Sequence, residues 1–281
     1  MMKQQLKNIA RPVWRRYRHW MTAARLPNQG MRELYQAMIQ KSPRTAGRLN
    51  VFGWDIEYED AQALYSMLSY QVIKGWNDFY TTRPNPYILD CGANIGISVL
   101  RFKQLHPGAK IIAFEPDGDI CAMLKRNIER NHLKDIEIVQ AAVWTENTHL
   151  QFVSDGLMGG HLTTVEVEST VTGKSNTVKA IRLTDYLDKP VDLLKIDIEG
   201  AELPVLKSCA AYLHYVEKII VEVHHNVDQP EVSAEILHIL AQAGFKVSIN
   251  SDWRLIYLNP PFVRDPNAGE FDQYIVVCGW R

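Results

Sequence analysis

Tyr87-Ile-Leu-Asp90-Cys-Gly92-Ala-Asn94-Ile-Gly96 decides how the 281-residue chain is read. An apolar, β-type run ends in an acid, a glycine turn follows, and a helix-length amphipathic stretch begins at Gly96. This is the strand, turn and helix start of a parallel βαβ unit, and the pattern repeats downstream. Short apolar, β-branched-rich runs predict strands at Tyr87–Cys91, Lys110–Glu115, Ile136–Ala142, Leu193–Ile198 and Lys218–His224. Amphipathic segments predict helices over Gly96–His106, Asp117–Asn131, Glu202–Tyr212 and Val232–Gly244. Phe245–Asn250, Arg254–Leu258 and Gln273–Cys278 are strand-like with only loops between them. The sheet is therefore expected to end in antiparallel strands without a closing helix.

Around this α/β core, His149–Val153 and Thr177–Arg182 predict an extra ribbon with a Gly/Ser/Thr-rich tip at Ser154–Thr172. Upstream, Leu49–Tyr58 alternates like a hairpin strand and Gln62–Ile73 predicts a helix. The expected division is a basic helical arm over 1–48 and one large domain over 49–281.

Composition bounds the function. With 31 Lys+Arg against 32 Asp+Glu and 46% hydrophobic residues, the chain is an ordinary globular one, not a disordered tail, a collagen or a disulfide scaffold. A net charge of -1 argues against a nucleic-acid partner. The average conceals an uneven distribution: residues 1–32 carry eight basic side chains and no acid, leaving 23 basic and 32 acidic ones in the rest. In Met1–Ala24 the apolar residues Leu6, Ile9, Val13, Trp14, Tyr17, Trp20 and Met21 recur at helical spacing opposite Lys7, Arg11, Arg15 and Arg18. That is the pattern of an interfacial helix, so peripheral membrane contact through residues 1–32 is one expectation and packing on its own domain or on a second subunit the other. Cys91, Cys121, Cys209 and Cys278 show no metal-ligand spacing, which fits reduced thiols, a cytoplasmic location and no zinc site. No apolar run approaches the ~20 residues of a membrane-spanning helix.

The glycine turn suits a nucleotide-like ligand, because glycine lets a ligand approach the backbone and the helix start offers free N–H groups. A dinucleotide site prefers a second glycine where Asn94 stands, and Asp90 would repel a pyrophosphate. An acid there suits a cationic ligand, such as S-adenosylmethionine with its amino and sulfonium groups. Glu115, at the end of the next strand, can accept both hydroxyls of a ribose.

Two later strands carry charges where a buried parallel strand would be apolar. In Val191-Asp-Leu-Leu-Lys195-Ile-Asp197-Ile-Glu199-Gly200-Ala-Glu202, period two places Lys195, Asp197 and Glu199 on one face. Either Lys195 and Asp197 form a structural ion pair, or the carboxylates serve a ligand at the carboxyl end of the sheet. Ile219-Ile-Val-Glu222-Val-His224 likewise places Glu222 and His224 on one face, and a neutral imidazole can take a proton near physiological pH. Asp197, Glu199, Glu222 and His224 also form an oxygen-rich set that could take a divalent ion. The reading adopted has no metal.

Taken together, Ile-Leu-Asp90-Cys-Gly-Ala-Asn-Ile-Gly96, Ala-Phe-Glu115-Pro, Asp192-Leu-Leu-Lys-Ile-Asp-Ile-Glu-Gly-Ala-Glu202 and Val-Glu222-Val-His224 resemble the FkbM family of S-adenosylmethionine-dependent methyltransferases. The resemblance covers roughly 49–278. It implies a class I methyltransferase fold, with a seven-stranded, mostly parallel, Rossmann-like sheet and an antiparallel final strand. It further implies O-methylation of a hydroxyl on a sugar or glycan, as in polysaccharide biosynthesis, or on a polyketide-type or related small molecule. Carried over by position, Asp90, Gly92, Asn94 and Gly96 would line the methionine end of the donor, Glu115 the ribose, and Ala142 and Val143 the adenine. Asp197 and Glu199 would stand between donor and acceptor, with Glu222 and His224 beside the acceptor hydroxyl and His224, or else Asp197, as base. The competing readings are a nucleotide-dependent oxidoreductase and a non-catalytic binding module. Gly159, Gly160 and His161 on the ribbon tip, with Trp76, Phe79 and Tyr80, are expected to shape the acceptor pocket. Acceptor identity and oligomeric state are not encoded in these segments.

Overall fold

The computed structural model describes residues 29–40, 45–154, 160–163, 174–225, 229–250 and 273–281. The basic helix expected over Met1–Ala24, the strand expected at Arg254–Leu258 and most of the ribbon tip lie outside the described residues. The chain divides into two compact units, 1–69 and 70–281.

The smaller unit holds α1 (Gln29–Gln40), a hairpin of β1 (Gly47–Val51) and β2 (Trp54–Tyr58), and α2 (Ala61–Met67). The alternating stretch is thus two strands, joined by Phe52 and Gly53 at φ 57° and 84°, a left-handed two-residue turn that matches strand twist. Asp60 caps α2 by accepting the N–H groups of Gln62 and Ala63 at 2.7 and 2.8 Å. The helix expected to run on to Ile73 changes to π winding over Leu68–Ile73.

The main sheet of the larger unit contains β3 (Tyr87–Cys91), β4 (Lys110–Phe114), β5 (Ile136–Val139), β10 (Leu193–Ile196), β11 (Lys218–His225), β12 (Lys246–Asn250) and β13 (Gln273–Trp280). Its spatial order is β12-β13-β11-β10-β3-β4-β5. All strands are parallel except β13, which is antiparallel to both neighbours. This is the class I methyltransferase topology that the resemblance implied. Strand order reverses at β3, and in open α/β sheets ligands bind at the carboxyl ends beside such a switch point.

Period-two alternation divides the core between the two faces. Leu89, Phe114, Leu194 and Val221 face α5 (Glu202–Cys209) and α6 (Pro230–Gln242). Ile88, Ala113, Leu193 and Ile220 face α3 (Ile97–Leu105) and α4 (Gly118–Arg130). Each of the Leu, Ile, Val and Phe side chains among these contributes about 1.5–3 kcal/mol when fully buried. On the α3 face the same parity then reaches Asp90, Lys195, Glu222 and His224, so the apolar face turns polar toward the carboxyl ends of three adjacent strands.

Several boundaries differ from expectation. The strand expected over Ile136–Ala142 ends at Val139, whose carbonyl accepts the N–H groups of both Glu115 and Ala141. Ala142 then opens β6 (Ala142–Trp144) in a separate four-stranded sheet of order β6-β9-β7-β8. This sheet contains the expected ribbon, β7 (Thr148–Ser154) against β9 (Lys174–Arg182), together with β8 (Gly160–Thr163). β10 stops at Ile196, and α5 ends at Cys209 and tightens into a 3₁₀ segment over Ala210–Tyr215.

Candidate active site

At the tip of β3, Asp90 is fully buried. Ser98 donates its hydroxyl to Asp90 Oδ2 at 2.5 Å, and Lys195 Nζ lies 3.2 Å from Oδ1. Lys195 also donates to the Gly92 carbonyl at 3.0 Å and lies 3.1 Å from Asp197 Oδ2. Burial disfavours its ammonium, but Asp197 and Asp90 outweigh burial and raise its pKa above the ordinary lysine value. The ion pair of Lys195 with Asp197 is thus present, and the same ammonium holds the Gly92 turn. Among the described residues, the Asp90 carboxylate is hydrogen-bonded through Oδ2 alone, while Oδ1 is buried beside the Lys195 ammonium without a hydrogen bond.

Gly92 has φ 82°, and a Cβ there would lie 1.8 Å from the Asp197 carbonyl oxygen. The glycine requirement attributed above to ligand approach therefore has a second cause, the close passage of the β10 exit. Asn94, at φ 49°, adopts the left-handed conformation that asparagine tolerates better than most residues. Its N–H donates to Glu115 Oε2 at 3.0 Å, while Asp117 N–H donates to Oε1 at 2.9 Å. Burial pushes the Glu115 carboxyl up to about 7 despite these two hydrogen bonds. Each oxygen has a further lone pair for a hydroxyl. Gly96, at φ 96°, precedes α3, with Leu124 of α4 packed where a side chain would project. Ala142 and Val143 are buried in β6, beyond the turn that ends β5.

The β10 exit departs from strand geometry after Asp197. Glu199 and Gly200 are both left-handed, at φ 53° and 94°, so Glu199 reaches the site from a turn and not from the strand face predicted by period two. Glu202, at the start of α5, is fully buried. It accepts the N–H groups of Ile198 at 3.1 Å and of Gly200 at 3.0 and 3.1 Å. The same carboxylate lies 3.1 Å from His224 Nδ1. Nε2 of His224 faces Glu199 Oε2 at 3.7 Å and Glu222 Oε1 at 3.8 Å. Burial works against a charged imidazole, but the Glu202 hydrogen bond and the charges of Glu202, Glu199 and Glu222 outweigh it, holding the pKa well above 6.5. Burial and the neighbouring Asp197 push Glu222 up to about 8 against the opposing influence of His224 and Lys195.

The structure thus joins Asp197, Glu199, Glu222 and His224, and places Asp90, Gly92, Asn94, Gly96 and Glu115 on the adjoining turns. Ligand atoms of Asp197, Glu199 and His224 lie within 4.8 Å of one another, a span that fits one cation. Glu202 had no role assigned from sequence. The available signal was an acid in the first helical turn directly after a glycine turn, a position where a carboxylate can satisfy exposed N–H groups. Phe79 does not belong here: it packs on Phe102 and His106 at the far end of α3, toward the amino ends of the strands.

The family model described as the methyltransferase FkbM domain matches residues 90–247, more than half of the chain. Methyltransferase sdnD of Sordaria araneosa is 30% identical over 197 residues, covering 58% of this chain and 75% of that protein. The 31-O-demethyl-FK506 methyltransferase FkbM of Streptomyces tacrolimicus is 28% identical over 203 residues, covering 60% of this chain and 76% of the relative. The hexuronic acid methyltransferase AglP of Haloferax volcanii is 28% identical over 144 residues, covering 51% and 58%.

Proposed function

The chain belongs to the FkbM methyltransferase family, and from that premise we propose that it methylates a hydroxyl of a saccharide, with His224 taking the hydroxyl proton. The methyl donor is S-adenosylmethionine. Its fit to the residues present rests on charge. Among the described residues, the carboxyl groups of Asp90, Asp197, Glu199, Glu202 and Glu222 gather around Lys195 and His224, an excess of acid that favours a cationic ligand. Gly92, Asn94 and Gly96 give the backbone a tight turn beside it, and Glu115 offers oxygen lone pairs for ribose hydroxyls.

Bound S-adenosylmethionine supplies an electrophilic methyl group on sulfur. The chain's part is to align the acceptor hydroxyl and receive its proton, and alignment can account for most of the barrier lowering. The observation that carries the reading is His224: Nδ1 is engaged by Glu202, so Nε2 is the nitrogen directed at the carboxyl-lined strand tips. A cationic donor among Asp197, Glu199 and Glu222 offsets the charges that keep the ring protonated, and so favours the neutral, basic imidazole. The hydroxyl oxygen gains the methyl, its proton passes to Nε2, and sulfur retains the electrons of the broken bond. The saccharide acceptor draws on the hexuronic acid named for the Haloferax relative; the alternative, a non-sugar small molecule, draws on the 31-O-demethyl-FK506 named for the Streptomyces one.

The test is incubation with methyl-labelled donor and a panel of hexoses, hexuronic acids, glycans and macrolide alcohols, reading O-methyl ethers by mass spectrometry and NMR. Label on a sugar hydroxyl is expected. Label confined to macrolide alcohols, or to nitrogen, rejects the saccharide reading.

A further inference from the structure

Glu202 lies outside the set of residues assigned to the donor or the acceptor, yet its carboxylate reaches three residues of the site, Ile198, Gly200 and His224. It is fully buried at the start of α5, and its two oxygens accept N–H groups from Ile198 and Gly200. These are donors that the left-handed Glu199-Gly200 turn leaves without sheet or helix partners, and a buried N–H without an acceptor is costly. Oε1 is also 3.1 Å from His224 Nδ1. Because a carboxylate only accepts, Nδ1 must be the donor. One side chain thereby couples the shape of the turn carrying Glu199 to the orientation of the ring on β11.

We infer that Glu202 is a positioning residue for methyl transfer: it holds His224 in the tautomer with hydrogen on Nδ1, so that the Nε2 lone pair faces the acceptor. The inference rests on the reading of His224 as base and adds the group that makes the ring competent. It parallels the general logic by which a buried carboxylate fixes a catalytic imidazole without itself taking the proton. Without Glu202, a neutral ring distributes its hydrogen between the two nitrogens and rotates, and the share of molecules with Nε2 available falls.

The test combines kinetics with ring nitrogen NMR on the full-length protein. Glu202→Ala is expected to lower kcat ~10- to 100-fold while the donor KM changes by less than about threefold, since general-base contributions are of order 10²–10⁴. Glu202→Gln keeps an acceptor oxygen for Nδ1 and should recover part of that loss. In a His224→Ala background, replacing Glu202 should lower kcat by far less than in the parent, leaving only the smaller effect of the Ile198–Gly200 turn. A full multiplicative loss in the double variant would mean that Glu202 acts other than through the ring, and would overturn the inference while leaving the base reading intact. With ¹⁵N-labelled histidine, the signal lost in His224→Ala identifies this ring among the nine histidines. At a pH where the ring is neutral it should show the Nδ1–H tautomer in the parent and a mixture in Glu202→Ala. An unchanged tautomer also overturns the inference. Full turnover of His224→Ala itself would instead remove the base reading, and the inference with it.

Discussion

The ammonium of Lys195 lies 3.2 Å from the carboxylate of Asp90 on the neighbouring parallel strand, and both side chains are almost wholly buried. The two residues are register partners at the carboxyl ends of β10 and β3. Asp197 completes the arrangement at 3.1 Å, so one cation joins two strand tips and the turn between them.

Removing that cation should therefore be costly. Lys195→Met leaves Asp90 buried without its counter-charge and is expected to destabilise the fold by about 3–5 kcal/mol, the usual cost of breaking a buried pair from one side. Urea unfolding measures this. A change within ~0.5 kcal/mol would show that the pair does not support the tips.

Gly92 offers a steric test of the same junction. Gly92→Ala combines a left-handed φ of 82° with a Cβ 1.8 Å from the Asp197 carbonyl oxygen. Backbone strain alone costs about 1–3 kcal/mol, and the backbone contact adds to it. Melting should shift down by roughly 5 °C or more, with weaker binding of donor in calorimetric titration. Wild-type melting and wild-type donor affinity in Gly92→Ala would contradict the closeness of the two turns.

Glu115 sets a pH dependence. Burial pushes its carboxyl up to about 7, and only the ionised form can accept hydroxyl hydrogen bonds with all its lone pairs. Donor binding therefore favours ionisation and lowers this pKa, so affinity should fall as pH drops below about 7 and level off above it. Glu115→Gln should bind more weakly and lose that part of the pH dependence. Measuring donor affinity from pH 5.5 to 8.5 in both proteins decides the matter, and equal slopes would exclude Glu115 from the donor site.

His224 and the carboxylates around it define the metal question. Lys195 neutralises Asp197 at 3.1 Å, and Glu202 orients the ring for proton transfer, which favours direct base catalysis at this cluster. Exhaustive chelation should leave turnover unchanged, whereas His224→Ala should lower it ~100-fold or more with donor binding nearly intact. Loss on chelation that returns with Mg²⁺ would transfer activation of the acceptor to an ion among Asp197, Glu199 and His224.

The strands and helices that build the main sheet were legible because each satisfies a local rule. Tyr87–Cys91 is apolar and β-branched enough to be read without context, and Gly92, Asn94 and Gly96 mark a turn by residue type alone. The break after Val139 was not legible, because it depends on a carbonyl shared by Glu115 and Ala141, which are 26 residues apart in sequence. Phe79 was placed near the acceptor from its proximity to β3 in sequence, whereas α3 carries its partners Phe102 and His106 to the other end of the sheet.

The sequence by itself determined the α/β order, the acids at the strand tips and the family to which their spacing corresponds, since these follow from periodicity and residue type along the chain. Tertiary structure alone decided what each charge faces. Asp90 meets Lys195 and Ser98, Gly92 meets the Asp197 backbone, and Glu202 meets His224 across 22 residues of sequence. Side-chain partners at a strand tip are chosen by lateral register and by turn geometry, and both are properties of neighbouring segments that no single segment encodes.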